Sequence, residues 1–91
     1  MGMKEKTPVI PKEFEKKILF ALYKYYTRDI TFEKAAEEVN VPIYFLVQFV
    51  NHNDLPIVHT DKDVTDGIQK VITLMKKKGM DVSKLEIELP A

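Results

Sequence analysis

From Lys12 onward, apolar residues return every three or four positions. Phe14, Ile18, Ala21, Leu22 and Tyr25 fall at i, i+4, i+7, i+8 and i+11, the spacing of one helical face. Leu19, Phe20, Tyr23 and Tyr26 widen that stripe. The helix predicted over 12–28 therefore needs cover on more than one side, from the core and from a second subunit. Pro11 suits its start, where a missing N–H removes no intrahelical bond. Residues 1–11 are polar, carry Pro8 and Pro11, and read as an extended arm with Val9-Ile10 as a short strand.

Thr31 reads as an N-cap for a short helix over 32–39, its hydroxyl accepting from the first-turn N–H groups. Asn40 tolerates the left-handed conformation that leaves a helix. Pro42 then opens a third helix over 42–52, with Phe45, Leu46, Phe49 and Val50 turned inward, and Asp54 ends it. Leu55-Pro56-Ile57-Val58-His59 is β-branched and predicts a short strand. Thr60 and Asp63 form a Thr-x-x-Asp helix start. The fourth helix buries Val64, Ile68, Val71, Ile72 and Met75. Lys76-Lys77-Lys78 suit the negative end of its dipole, and Gly79 stops it. Leu85-Glu86-Ile87-Glu88-Leu89 alternates with period two, which predicts a C-terminal strand within about 84–89.

The segment from Phe32 to Asn51 satisfies the demands of a helix-turn-helix together. That motif needs a small residue where its two helices touch, a φ-permissive turn, and apolar inward positions. Ala36 is the small residue, Asn40 the turn, and Ala35, Val39, Val41, Leu46 and Phe49 are the inward set. The predicted fold class is thus mainly α. It is a single domain over 1–91, a tri-helical helix-turn-helix core plus a fourth helix, with one or two short β-strands.

The outward face of helix 42–52 then carries Pro42, Ile43, Tyr44, Val47, Gln48 and Asn51. Asn and Gln pair with adenine in the major groove, and an apolar side chain meets the thymine methyl. Candidate DNA-binding residues are Ile43, Tyr44, Val47, Gln48 and Asn51 toward the groove, with Thr31 and Lys34 toward the phosphate backbone. Helix 42–52 holds no Lys or Arg. A face of Ile43, Tyr44 and Val47 serves equally well against another protein.

Charge sharpens this tension. The chain has 91 residues, with Lys+Arg 14 and Asp+Glu 14, and no net charge. Nucleic-acid-binding domains usually carry a basic excess. By segment, residues 1–28 hold seven basic and three acidic groups, residues 29–63 two and seven, and residues 64–91 five and four. The candidate reading unit is the acidic third, so phosphate contacts would have to come from elsewhere. Cysteine is absent, which excludes disulfides and thiolate chemistry. No apolar run approaches the roughly 18 residues of a membrane span. The N-terminus lacks an apolar signal core, so a cytoplasmic location is expected.

Other constellations are better explained by structure. His52 and His59 have no recognised metal-ligand spacing. Asp61 to Gly67 lacks the glycine position and bidentate Glu of a calcium loop. Ser83 has no histidine nearby in sequence, and the glycines form no phosphate loop. Tyr23, Tyr25 and Tyr26 with Lys24 and Arg28 offer a base-stacking set, but a broad buried helix face accounts for them more simply. No enzyme activity, cofactor or metal is expected.

Thr31-Phe32-Glu33-Lys34-Ala35-Ala36-Glu37-Glu38, Tyr44-Phe45-Leu46 and Leu55-Pro56-Ile57-Val58 together resemble an uncharacterised family of small prokaryotic helix-turn-helix proteins. Its members carry Ser/Thr-x-x-Lys-Ala-Ala-Glu, an aromatic-Phe-Leu or Glu-Phe-Leu helix, a Gly-Ile-Pro-Val strand and an acidic helix. Asp61, Asp63 and Asp66 resemble that acidic start. The resemblance covers about residues 30–72. Here Asn40 replaces the usual turn Gly, and Asp54 stands where a Gly precedes the strand. The family is often regarded as supplying the antitoxins of toxin–antitoxin pairs. The resemblance implies a dimeric regulator of double-stranded DNA whose protein partner is a toxin. The alternative is an interaction module that keeps the geometry without binding DNA.

Overall fold

A computed structural model of the chain describes residues 11–83. Four helices occur among them: α1 (Lys12–Tyr26), α2 (Phe32–Glu38), α3 (Ile43–His52) and α4 (Asp61–Lys77). The class is mainly helical, as the periodicity predicts. The Val9-Ile10 and 84–89 strands lie outside the described residues.

The breadth of the α1 stripe is explained within one chain. Ile18, Leu19, Ala21, Leu22, Tyr23 and Tyr26 are all buried, because α1 packs against α4 on one side and α2 on another. No second subunit is needed to cover them. Phe20 is the exception, at 47% exposure. The Lys78 ammonium lies 3.0 Å from the Glu15 carboxylate, and Tyr26 meets Gly67. The end of α4 thus adjoins the start of α1 and the reverse, so the two helices run antiparallel.

The Tyr26 ring is fully buried, and Gly67, inside α4, is what admits it. A Cβ at Gly67 would stand less than 3.0 Å from ring carbons of Tyr26. Glycine in a helix interior costs about 1 kcal/mol against alanine. That cost is offset by the close approach of a large aromatic side chain.

Helix ends follow local chemistry. The Thr31 hydroxyl accepts from the Lys34 N–H at 3.0 Å. Thr60 and Asp63 close a full capping box on α4. Arg28, Asn40, Asp54 and Gly79 have φ of 71°, 60°, 60° and 80°. All four lie just past a helix end, where a left-handed residue turns the chain away. Asn40 takes this role at the α2–α3 turn, where the Val41 N–H donates to the Ala36 carbonyl at 3.0 Å.

The strand predicted at 55–59 does not form. Leu55 to Val58 has no regular secondary structure; the Leu55 N–H donates to the Val50 carbonyl at 2.8 Å, and two further backbone groups are engaged by side chains. The Tyr26 hydroxyl donates to the Pro56 carbonyl at 2.7 Å, and the Val58 N–H donates to the Tyr25 hydroxyl at 2.9 Å. β-branched residues favour extended backbone, but no strand lies alongside among the described residues. Two tyrosines of α1 satisfy the backbone groups that a ladder would have used.

Candidate functional site

α3 has two distinct sides. Leu46, Phe49 and Val50 are buried, and full burial of such a side chain contributes about 1.5–3 kcal/mol. α2 is its main packing partner. Pro42 precedes the first turn with φ −63° and ψ 151°, and it has no N–H to leave unpaired. The short Ala35-Ala36 surface of α2, fully or nearly fully buried, lets the helices approach closely.

The other side of α3 faces solvent. Tyr44 is 64% exposed and Ile43 44%, Gln48 and Asn51 are exposed, and Val47 is half-buried. Tyr44, Gln48 and Asn51 stand at i, i+4 and i+7, and Ile43, Val47 and Asn51 at i, i+4 and i+8, so they form one contiguous stripe. The Tyr44 hydroxyl and the Gln48 and Asn51 side-chain amides have no hydrogen-bond partner among the described residues. These groups are free to recognise something outside the fold. Thr31 and Lys34 are separate from the stripe, at the start of α2, and both are exposed. Lys34 pairs with Glu37 at 3.8 Å.

The lysines that border the α2–α3 unit, Lys24, Lys34 and Lys70, are paired with carboxylates. Lys24 of α1 pairs with Glu38 at 2.7 Å. Lys70 of α4 lies 3.9 Å from the Asp54 carboxylate and donates to the Asp54 carbonyl at 3.2 Å. α3 itself contributes only His52 among basic side chains.

The remaining candidate groups fall into structural roles. Tyr23 and Tyr26 are buried. Tyr25 packs edge-on against Phe32, with ring centroids 5.1 Å apart, and its hydroxyl is engaged by Val58. They form core, not a stacking platform. His52 and His59 are exposed, and no metal-binding group of His, Asp and Glu occurs among the described residues. The Asp63 carboxylate accepts from the N–H groups of His59 and Thr60 at 2.9 and 3.1 Å. These bonds, the His59 N–H foremost, hold its pKa below the usual carboxylate range.

One feature left unmarked by the pattern is an open groove of about 360 Å³ beside Phe20, floored by Ala21, Val39 and Met80. Lys24 sits 5.3 Å from the Phe20 ring centroid. Phe20 belongs to the same apolar stripe as its buried neighbours, so periodicity alone does not separate it from them.

No family model, curated protein or solved structure matches the chain.

Proposed function

We propose that the chain is a DNA-binding regulatory protein of helix-turn-helix type, acting as a homodimer in the antitoxin role of the family it resembles. The observation that carries this reading is the outward stripe of α3. A short helix, a left-handed turn at Asn40 and a helix with free amide groups at Gln48 and Asn51 supply the parts of a major-groove reader. Both positions at which the resembled family carries glycine, Asn40 and Asp54, have positive φ here. In this reading Ile43, Tyr44, Val47, Gln48 and Asn51 face the groove, and Thr31 and Lys34 approach phosphates. The protein partner is a toxin.

Retention on duplex DNA at low salt, falling steeply as salt rises, tests the reading. Gln48→Ala should change sequence preference in a selection from random duplexes. Absence of any retention at low salt sinks the proposal.

A specific observation favours a second reading. Ile43 and Tyr44 are large exposed apolar residues, and the lysines bordering the α2–α3 unit are already paired. That combination suits a protein-binding surface without DNA contact. Here Tyr44→Ala abolishes capture of the partner, and the protein shows no DNA affinity to alter.

A further inference from the structure

The uncharged stripe of α3 leaves a physical question: which group meets the phosphate backbone. Phosphate contact requires a cation that is exposed and not already neutralised. Among the described residues Lys16, Lys24, Lys34, Lys62, Lys70 and Lys78 each lie within 4.0 Å of a carboxylate. Lys12, Lys17, Lys77 and Arg28 are exposed and have no such partner among them, and of these four Arg28 is the one in the turn that leads into α2. It is also the only arginine in the chain. Arginine is the side chain whose planar fork matches phosphate oxygens in pairs.

Its backbone adds a second observation. Arg28 sits at φ 71° in the turn after α1, with its N–H donating to the Tyr25 carbonyl at 3.0 Å. Glycine takes that conformation without steric cost, and asparagine more readily than other residues. An arginine there incurs strain, and its side chain makes no hydrogen bond or ion pair with the described residues in return. Strain kept at an exposed, functional-type side chain points to a use outside the fold.

Position supplies the third. Arg28 precedes Thr31 by three residues, a span of at most about 11 Å, and Thr31 caps α2. Arg28 therefore stands on the short segment that leads into α2, with Thr31 and Lys34 just after it.

We propose that Arg28 is a phosphate anchor, placing the α2–α3 unit on the backbone of duplex DNA from the turn before α2. This rests on the DNA reading of α3. Such a contact is independent of sequence and displaces about one counterion.

The test uses the full chain and a random-sequence duplex, titrated between about 50 and about 200 mM salt. Arg28→Gly removes the guanidinium while relieving the backbone, so its thermal midpoint should equal or exceed that of the original protein. Its affinity should fall several-fold at low salt, and the slope of log affinity against log salt should shrink by about 1. Arg28→Lys should retain the slope. Gln48→Ala should leave the slope unchanged. If Arg28→Gly keeps both affinity and slope while Gln48→Ala alters sequence preference, the anchor is overturned and the DNA reading stands. If the original protein binds no duplex, both fail together.

Discussion

The Tyr26 ring occupies the space in which a Gly67 side chain would begin. This contact joins the end of α1 to the first half of α4, and it inverts the usual rule for helix glycines. Gly→Ala inside a helix normally stabilises by up to about 1 kcal/mol. At Gly67 the added methyl must displace a fully buried ring, and overpacking costs about 1–3 kcal/mol. Gly67→Ala should therefore lower stability in denaturant titration. In a Tyr26→Ala background the same substitution should become neutral or stabilising. Additivity between the two changes would show that the contact has no energetic weight.

Tyr26 also ties the 55–58 segment through its hydroxyl. Burial, with the neighbouring Tyr25 adding to it, raises the phenol's pKa above its ordinary value. The unfolded chain therefore releases this proton more readily than the folded one. Its contribution is complete below the unfolded value of about 10 and declines as pH rises beyond it. Thermal midpoints should fall on going from pH ~9 to pH ~11. Tyr26→Phe should lose roughly 1–3 kcal/mol at neutral pH, because the Pro56 carbonyl loses its partner, yet show a shallower alkaline decline. An equal decline in both proteins would assign it to other groups.

Asp54 holds a left-handed conformation with a side chain almost wholly in solvent. Glycine relieves roughly 1 kcal/mol of strain there, while loss of the exposed pair with Lys70 costs no more than about 1. Asp54→Gly should be neutral or stabilising by up to about 1 kcal/mol. Asp54→Ala loses the pair without gaining the freedom, and should melt lower than Asp54→Gly. The reverse order of melting would contradict the backbone account.

Asp63 works in the opposite pH direction. Its carboxylate is held below the usual range, first by the His59 N–H. The stabilisation is complete above the ordinary carboxylate value of about 3.9 and is lost as pH falls through the lower folded value. Asp63→Asn should melt earlier than the original protein at pH ~6, and the difference should close as pH approaches ~2. A gap that persists in acid would mean that the charged cap is not its source.

Legibility in the sequence varied with the range of the interaction responsible. The α1 stripe, the Thr31 cap, the Asn40 turn and the Thr60–Asp63 box each depend on residues within one or two turns, and they read directly. The apolar pattern carries α1 to 28, two residues past its end at Tyr26, because Thr27 and Arg28 begin the turn. Local preference predicts a strand at 55–59 that does not form, because it describes backbone shape and not which groups supply the hydrogen bonds. The partners of that segment, Tyr25 and Tyr26, lie about thirty residues away in sequence. Gly67 reads locally as a defect and is explained only by a ring on another helix. At the candidate site, periodicity identified the outward α3 residues, whereas the pairing of surrounding lysines depends on tertiary neighbours. The conformation of Arg28 has no marker in composition or spacing.

The two tyrosine hydroxyls make the 55–58 segment a strut, not a passive connector. Helix α1 grips the stretch that joins α3 to α4 at two backbone points on either side of Ile57, the Pro56 carbonyl and the Val58 N–H. The segment that follows α3 is thereby tied to the end of α1 through polar bonds and not packing alone. Displacing α3 relative to α1 would therefore require breaking these two bonds as well as its packing.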